Sequence, residues 1–181
     1  AVPTPDHLPS ALPLDGLRVV DMSMFFAGPV LAQILADAGA DVIKIESLQR
    51  IDGWRGSGTI IEDDVPSWEA SPYFNWVNRN KRDVTLDLTD ARAVAAVKTL
   101  VREADILIEN YTPRVMGGFG LSYEGLRAIN PRLIMISLSG FGAEVSWRDY
   151  VAFAMSTEQM SGMNHLPGYE DGQPPSTGMP G

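Results

Sequence analysis

The stretch LRVVDMSMFFAGPVLAQILADAGADVIKIE, residues 17–46, has the pattern of a strand, a loop, a helix and a second strand. The run at 17–22 is apolar with one acid, and Pro29 suits the first turn of a helix, where a missing N–H is tolerated. Apolar residues then recur at helical spacing as far as Gly39, a common helix stop. The run at 41–46 is typical of a buried strand. The stretch therefore predicts a right-handed parallel crossover.

The alternation of strand and helix continues along the chain. We expect further strands at 83–88, 105–109 and 133–138. The expected helices are one from the N-cap Thr89 to about Ala104, a short one opening at Pro113, one at 123–129 and a last one over 151–163. Strands that alternate with helices form a parallel sheet with helices on both faces, so the sequence predicts an α/β fold.

Two segments do not follow this pattern. Residues 1–13 are rich in proline and predict an extended N-terminal arm. Residues 47–79 form an excursion that is long for a compact domain, and their aromatic side chains predict that it is ordered, with a helical turn at 74–77. The turn-rich end of the chain holds no helix that could close a domain, so we expect it to be part of a longer protein.

Composition excludes several classes of function. The net charge of −9 and the lack of a basic cluster argue against nucleic-acid binding. The chain has no cysteine, and its two histidines, His7 and His165, are too few for a His-based zinc site. No apolar run is long enough for a membrane span, and no signal-peptide pattern precedes the arm, so we expect a cytoplasmic protein.

Three loops are expected at the carboxyl ends of strands, at 23–28, 110–113 and 139–142. Ligands bind at that edge of an open parallel sheet, and these loops offer amide groups and aromatic rings suited to a planar ring and a polar chain. Ordinary tight turns are the alternative. The glycine patterns of dinucleotide-binding folds, P-loops and α/β-hydrolases are absent.

Two charged residues are weaker candidates for a functional role. Glu158 is the one carboxylate in the last expected helix, where a solvated face is the alternative. Lys81 lies in the basic turn NRNKR and could hold a phosphate or simply be solvated.

Several motifs together resemble the class III coenzyme A (CoA) transferases of the CaiB/BaiF type, including the formyl-CoA transferase branch. They are PLDGLRVVDMS (13–23), AGPVLAQILADAGADVIKIES (27–47), NRNKRDVTLDL (78–88), the block 104–142 that contains ENYTP and NPRLI, and GYEDGQPP (168–175). The resemblance implies a Rossmann-like large domain, a small domain and two interlocked subunits. Residues 14–181 would be the N-terminal, CoA-binding part of the large domain.

The resemblance also implies a reaction, the movement of CoA between carboxylic acids with no permanently bound cofactor. An aspartate attacks the acyl-CoA to form a mixed anhydride and then an enzyme thioester, so that one difficult exchange is divided into easier ones. Backbone amides near the site would stabilise the oxyanions. The nucleophilic aspartate is expected just after Gly181, so residues 1–181 should be inactive alone.

Family positions can be carried over one by one. Phe25, Phe26 and Ala27 match the wall at the thioester end, and the two rings make it apolar. The other matches are Leu86 (packing on the adenine), Asn110 and Tyr111 (beside the CoA chain) and Val115 (a nearby contact). Three basic phosphate contacts fall on Ser47, Thr89 and Gly118, and the arginines close to them in sequence, which could substitute, are Arg50, Arg92 and Arg114.

Two alternatives follow from the same resemblance. The racemase branch has a His–Asp pair where this chain has Phe153 and Ala154, which argues against racemase or isomerase chemistry. Glu158, about one helical turn further on, could project into that region. The second alternative is a non-catalytic CoA-binding subunit of a heteromeric transferase. We expect acyl-CoA and carboxylic acids as substrates and an interlocked homodimer or a heteromer with a related subunit.

Overall fold

The computed structural model describes residues 12–56, 65–167 and 172. Its five strands form one parallel sheet: β1 Arg18–Asp21, β2 Asp41–Glu46, β3 Arg82–Thr85, β4 Ile106–Glu109 and β5 Ile134–Ser137. The helices in this part of the chain are α1 Ala27–Asp37, α2 Pro72–Asn78, α3 Ala91–Arg102, α4 Pro113–Gly118, α5 Tyr123–Ile129 and α6 Ala154–Ser161. Short 3₁₀ turns lie at Gly53–Gly56 and Met163–His165.

The strands lie in the order β3-β2-β1-β4-β5, so the direction of chain progression reverses next to β1. Val20 of β1 is in register with Ile43 of β2 on one side and Leu107 of β4 on the other. In an open parallel sheet this reversal leaves a crevice at the carboxyl ends of the two central strands, because their loops turn away in opposite directions.

Helices cover both faces of the sheet, as the alternating pattern predicts. On one face Ala32 and Ala36 of α1 pack against Val19 and Ile108. The opposite face is covered by α3, α4 and α5, which bury a second apolar cluster. Its members include Val20, Met22, Leu107, Val97, Val101, Met116, Leu121 and Leu126. The parallel α/β fold expected from the sequence is therefore confirmed.

The cap of α3 differs from the expectation. Asp90 is the N-cap, and its carboxylate accepts a hydrogen bond of 2.8 Å from the Arg92 N–H. Thr89 instead donates its hydroxyl to Asp87 at 2.7 Å. The prediction of Thr89 was wrong because two adjacent residues both suit a cap, and the turn at Asp87 occupies the first of them.

Two elements are shorter than expected. Strand β3 ends at Thr85 because the following residues turn, although the Leu86 N–H still donates to the Glu46 carbonyl at 2.8 Å. Helix α6 begins at Ala154 rather than at 151, and it ends at Gly162, which adopts a left-handed φ of 78°. This helix has no buried residue within the described part of the chain, so little packing supports a longer one.

The excursion at 47–79 is ordered where the structure describes it. Trp54 and Phe74 are buried, and Trp54 stacks on Tyr73 with ring centroids 5.0 Å apart. The expected helical turn at 74–77 lies within a longer element, α2, whose N-cap is Ser71. Residues 57–64, most of the N-terminal arm and most of the 168–175 motif lie outside the described residues.

None of the helices in residues 12–56 and 65–167 is both long and apolar enough to cross a membrane.

Candidate functional site

A cleft opens at the carboxyl ends of β1, β2 and β4, where the strand order predicts a crevice. Its empty volume is about 350 Å³ and it is open to solvent. The residues that line it come from the loop after β1, from β2 and the loop after it, from the loop after β3 and from the loop after β4. They are Met24, Lys44, Ile45, Glu46, Ser47, Arg50, Asp52, Leu86, Leu88 and Tyr111.

The cleft brings together two residues that the family resemblance matches to CoA contacts and one arginine proposed as a substitute phosphate ligand. Leu86, Tyr111 and Arg50 are separated widely in the chain but line the same cleft. Tyr111 is largely buried, and burial is the main reason why the pKa of its phenol rises to about 12. The positive charge of Arg50, which lines the same cleft, lowers that pKa.

Asn110 joins two loops of the site through its side-chain amide. Its side-chain oxygen accepts the N–H of Met24 at 2.9 Å, and its side-chain NH₂ donates to the Met24 carbonyl at 2.7 Å. One amide therefore satisfies both backbone groups of Met24 and joins the loop after β4 to the loop after β1. The expected place of Asn110 beside the CoA chain stays a prediction.

Phe25 has a left-handed backbone with a φ of 63°, a conformation that side chains other than glycine rarely adopt. Its ring meets Trp54 edge-on at 6.2 Å and Phe153 at 5.3 Å between centroids. A Cβ at Gly53 would collide with this ring, so the glycine makes room for it. Phe25 is thus fixed by contacts on several sides.

Phe26 and Ala27 lie where α1 begins. Phe26 is the N-cap residue, is 38% exposed, and packs on the exposed Trp76 at 5.7 Å between centroids. No side chain of the described residues caps the helix there. Gly28 follows, and a Cβ at that position would collide with the Ser23 side chain. The loop consequently turns tightly into the helix and leaves two aromatic rings beside the helix start.

Two buried ion pairs lie under the loop after β1. Lys44 is 3.5 Å from the Asp52 carboxylate, and both side chains are 1% exposed. Lys81 donates to Asp21 at 2.8 Å, with side chains 2% and 0% exposed. Lys81 also donates to the Pro29 carbonyl and to the side-chain oxygen of Asn78, each at 2.9 Å. The suggestion that Lys81 holds a phosphate is therefore wrong, because a buried carboxylate already takes its charge.

A third ion pair, between Arg55 and Glu46, lies at the end of β2 beside the cleft. Arg55 pairs with Glu46 at 2.5 Å, and its guanidinium lies 3.6 Å from the Phe74 ring centroid. Burial, and then a hydrogen bond with Glu46, raise the pKa of Asp83 to about 7. Burial alone would raise the pKa of Glu46 as well, but the hydrogen bonds from Arg55 and Asp83 hold it below its usual value. Of the two carboxyls, Asp83 is therefore the one that keeps its proton as the pH rises toward 7.

The other proposed phosphate ligands lie outside the cleft. Arg114 and Val115 are on α4, where Arg114 is exposed, and neither lines the cleft. Arg92 is paired with Asp90 at 2.7 Å and is 91% exposed. Only Arg50 among the three candidate arginines joins the cleft, next to Ser47.

Of the candidate positions in and next to the last helix, Phe153 lies at the site. Phe153, the N-cap of α6, contacts the Phe25 ring. Ala154 begins the helix and Glu158 lies one turn further along it. The position that holds a histidine in the racemase branch is thus an aromatic contact of the first loop in this chain. His165 is exposed at the end of a 3₁₀ turn.

The side chains of the site suit an anionic ligand with a flat ring better than they suit a metal ion. Within residues 12–56 and 65–167 no group of three His, Asp or Glu side chains is placed to hold a metal ion. An open parallel sheet in this order, with its cleft at the crevice, defines a Rossmann-type ligand-binding domain.

The chain belongs to CoA-transferase family III, which it matches over residues 14–180. It is 38% identical to the succinate–glutarate CoA-transferase of Agrobacterium fabrum over 168 residues, which are 92% of this chain and 42% of that protein. It is 39% identical to the alpha subunit of succinyl-CoA–L-malate CoA-transferase from Chloroflexus aurantiacus, over 92% of this chain and 38% of that subunit. The chain thus spans about two fifths of the length of these relatives.

A solved structure agrees with this assignment. The CAIB/BAIF family protein from Brucella suis superposes with a TM-score of 0.85 at 38% identity, over 93% of this chain and 44% of that one. The resemblance to the class III CoA transferases and the Rossmann-like fold it implies are confirmed.

Sequence reasoning missed the buried charges. A lysine flanked by two isoleucines in the strand DVIKIE was a usable signal, because a buried lysine needs a partner. Nothing in the sequence pointed to Asp52 as that partner, since it follows in an irregular loop. Asp21 and Lys81 were likewise paired only by the fold.

Proposed function

We propose that the protein transfers CoA between carboxylic acids and that this chain supplies its CoA-binding part. The observation that carries the proposal is the meeting of Leu86, Tyr111 and Arg50 in the cleft at the carboxyl edge of the sheet. These residues come from loops after three different strands. They combine apolar surface, an aromatic ring and a positive charge, which are the features that a nucleotide-bearing anion needs.

Arg50 is the proposed phosphate ligand. It is exposed at the mouth of the cleft, and no ion pair of its guanidinium is found within residues 12–56 and 65–167. A guanidinium binds phosphate oxygens through two parallel N–H groups. In a chain of net charge −9, such a local cation counteracts the repulsion that an anionic ligand would meet elsewhere.

The thioester end of the ligand is proposed to lie against Phe25, Phe26 and Ala27. The amide groups of Met24 and Phe25 already donate to Asn110 and to Asp52. Backbone amides that stabilise an oxyanion in this loop would therefore come from the uncapped start of α1, where the helix dipole also favours negative charge.

The proposed reaction uses a carboxylate that lies just after Gly181 in the longer protein. That carboxylate attacks the thioester carbonyl, the CoA thiolate leaves, and an acyl–aspartyl anhydride forms. The thiolate then attacks the aspartyl carbonyl of the anhydride and releases the donor acid, which leaves CoA on the enzyme as a thioester. The acceptor carboxylate repeats these two steps in reverse order, so that every bond broken is balanced by one formed.

The experiment is an assay of the full-length protein that carries this chain. The protein is incubated with succinyl-CoA and a panel of monocarboxylic and dicarboxylic acids, and new acyl-CoA species are identified by mass spectrometry. We expect a new thioester with at least one acid and equal loss of succinyl-CoA. Hydrolysis to free CoA without any new thioester, across the panel and with other acyl-CoA donors, would contradict the proposal.

A heteromeric arrangement is the second candidate, because one relative of this chain is the alpha subunit of a transferase. In that case the chain would bind CoA while a related subunit supplies the reactive carboxylate. The residues just after Gly181 distinguish the two: an aspartate among them favours a catalytic subunit, and its absence favours the non-catalytic one. Measuring the mass of the purified assembly tests the interlocked homodimer in the same preparation.

Racemase or isomerase chemistry is the less favoured alternative. The position at which the racemase branch carries its histidine is Phe153, whose ring packs on Phe25. A phenyl ring cannot accept or donate the proton that racemisation requires. Deuterium exchange into the α-carbon of an acyl-CoA substrate, measured with the full-length protein, is therefore expected to be absent.

A further inference from the structure

Three consecutive residues of the first loop are each held through their backbone by a different part of the chain. The Ser23 carbonyl accepts a hydrogen bond of 2.8 Å from Lys44 on β2. Met24 is held at both its N–H and its carbonyl by Asn110. The Phe25 N–H donates to the Asp52 carboxylate, at 3.1 and 3.2 Å from its two oxygens. We refer to residues 23–25, fixed in this way, as the clamped loop.

Asp52 connects the members of this clamp. Besides the Phe25 N–H, its carboxylate accepts the N–H of Trp54 at 3.0 Å and lies 3.5 Å from the ammonium group of Lys44. One buried carboxylate thus joins the clamped loop, the 3₁₀ turn at Gly53–Gly56 and strand β2. Because both members of the ion pair are 1% exposed, water does not compete for these contacts.

The clamp acts where the backbone needs support. Phe25 has a φ of 63°, and such a conformation persists only when its surroundings impose it. The Asp52 carboxylate fixes the N–H of that residue, while Trp54 and Phe153 fix its ring. Loss of the carboxylate would let Phe25 return toward an ordinary backbone conformation, and the loop after it would move.

We propose that Asp52, together with Lys44, is a positioning residue that holds the clamped loop in the shape required to receive the acyl end of an acyl-CoA. This inference rests on the proposed function, because the loop continues into the Phe25–Ala27 wall. Asp52 lies at the wall of the cleft, but its side chain is 1% exposed and its carboxylate accepts the N–H groups of Phe25 and Trp54, so its proposed effect on the ligand passes through Phe25. It is therefore a different kind of residue from Arg50, which would touch the ligand directly.

A purely stabilising role is a poor explanation for this ion pair. Removing two charges from water is costly, and an apolar pair of the same volume often stabilises a core as well or better. A single carboxylate that reaches two backbone N–H groups and an ammonium group does what an apolar pair cannot, which is to fix the direction of a loop.

The test compares the affinities for acyl-CoA and for free CoA in the full-length protein, measured by calorimetry without an acceptor acid. The variant Asp52→Asn keeps the side-chain volume and one acceptor oxygen but loses the charge. We expect its dissociation constant for succinyl-CoA to rise at least tenfold and that for free CoA to change less than threefold. The acyl group is proposed to meet Phe25, whose N–H Asp52 holds, whereas the proposed CoA contacts Leu86, Tyr111 and Arg50 lie on other loops.

A matched control separates positioning from general loss of stability. Val42→Ala removes buried volume from the apolar cluster that packs against α1, none of whose members lines the cleft. This variant should lower the melting temperature while leaving the ratio of the two dissociation constants at its wild-type value. An equal rise of both dissociation constants in Asp52→Asn would reduce Asp52 to a structural residue and overturn the inference.

A second variant keeps the inference testable if Asp52→Asn does not fold. Gly53→Ala leaves Asp52 intact but places a methyl group against the Phe25 ring, so it should cause the same selective loss of acyl-CoA affinity. Unchanged affinity for both ligands would overturn the inference. If the wild-type protein bound neither succinyl-CoA nor free CoA, the proposed function would be overturned as well. If the wild type bound both ligands and the variants bound them with the same affinities, this inference alone would be overturned.

Discussion

Both edges of the sheet carry ion pairs, but the pairs at the two edges differ in how far they are exposed to solvent. At the carboxyl edge, the pairs Lys44–Asp52 and Lys81–Asp21 have side chains that are at most 2% exposed. At the amino edge, Arg18 pairs with Asp41 and with Glu103, and these side chains are 35% to 73% exposed. The first group is buried under the loop that borders the cleft, and the second lies on the surface.

The buried pairs hold the backbone beside the cleft in place, whereas the exposed pairs have no such role and remain in contact with water. An exposed pair adds little to stability because water and salt screen it. A buried pair is expensive to form, and losing one partner leaves an uncompensated charge. The buried ion pairs, which are the costly ones to form, therefore lie at the edge that carries the clamped loop and the cleft.

The largest expected effect is at Lys81. Lys81→Met would leave the Asp21 carboxylate, which is 0% exposed, without its cation. Breaking a buried pair in this way lowers the free energy of unfolding by about 3–5 kcal/mol. Urea denaturation of the full-length protein, followed by circular dichroism, measures the change. A loss below about 1 kcal/mol would place this pair with the surface pairs and break the comparison.

Asn110 should show a smaller effect at the same edge. Asn110→Ala leaves the N–H and the carbonyl of Met24 without their partner, at a cost of about 1–3 kcal/mol for an unsatisfied buried group. Asn75→Ala is the matched control, because Asn75 makes an exposed hydrogen bond to the Glu69 carbonyl. If the same unfolding experiment gave equal losses in the free energy of unfolding for both variants, the hydrogen bonds of Asn110 would stabilise the protein no more than an exposed hydrogen bond elsewhere.

The carboxyl pair at the end of β2 predicts a dependence of stability on pH. The pKa of Asp83 is raised to about 7 in the folded state, so the folded protein binds more protons than the unfolded chain between about pH 4 and pH 7. The contribution of Asp83 to stability is therefore present at low pH and is lost as the pH rises toward 7. The pKa of Glu46 is lowered in the folded state, so its contribution to stability is lost as the pH falls, and this happens only below the ordinary pKa range of a glutamate.

The variant Asp83→Asn tests that dependence. The free energy of unfolding is measured at several values between about pH 5 and pH 8 for wild type and variant. Wild type should lose more stability over this range than Asp83→Asn, with a modest amplitude because Asp83 is partly exposed and screened. Parallel curves for the two proteins would mean that Asp83 has an ordinary pKa.

The smallest effect belongs to the amino edge. Arg82 pairs with Asp41 at 2.5 Å, but its side chain is 65% exposed. Arg82→Met is expected to change the free energy of unfolding by at most about 1 kcal/mol, and less at high salt. A loss as large as that of Lys81→Met would show that exposure does not separate the two edges.

The sequence predicts the layers of this fold well because local patterns determine them. The helical spacing from Pro29 to Gly39, between two apolar runs, indicates a crossover whichever strands later become neighbours. The meeting of Leu86 and Tyr111 also follows in principle, since the loops after parallel strands share one edge. Family resemblance identified these residues, and the fold then placed them in the cleft.

Other features depend on distances that no local pattern encodes. Arg50 and Arg114 were equal candidates in the sequence, and only the path of the loop after β2 brings Arg50 to the cleft. Asp52 and Lys44 are paired by an irregular segment, so no spacing rule links them. Thr89 and Asp90 both suit an N-cap, and a hydrogen bond to Asp87 decides between them.

The most direct test of the central claim is a calorimetric titration of CoA into the full-length protein with one charge reversed at each edge. Arg50→Glu places a carboxylate in the cleft, and Arg82→Glu makes the same change at the amino edge. The proposed site predicts that Arg50→Glu weakens CoA binding at least tenfold while Arg82→Glu leaves it within twofold of wild type. Unchanged affinity in Arg50→Glu, or equal losses in both variants, would contradict a CoA site at the carboxyl edge.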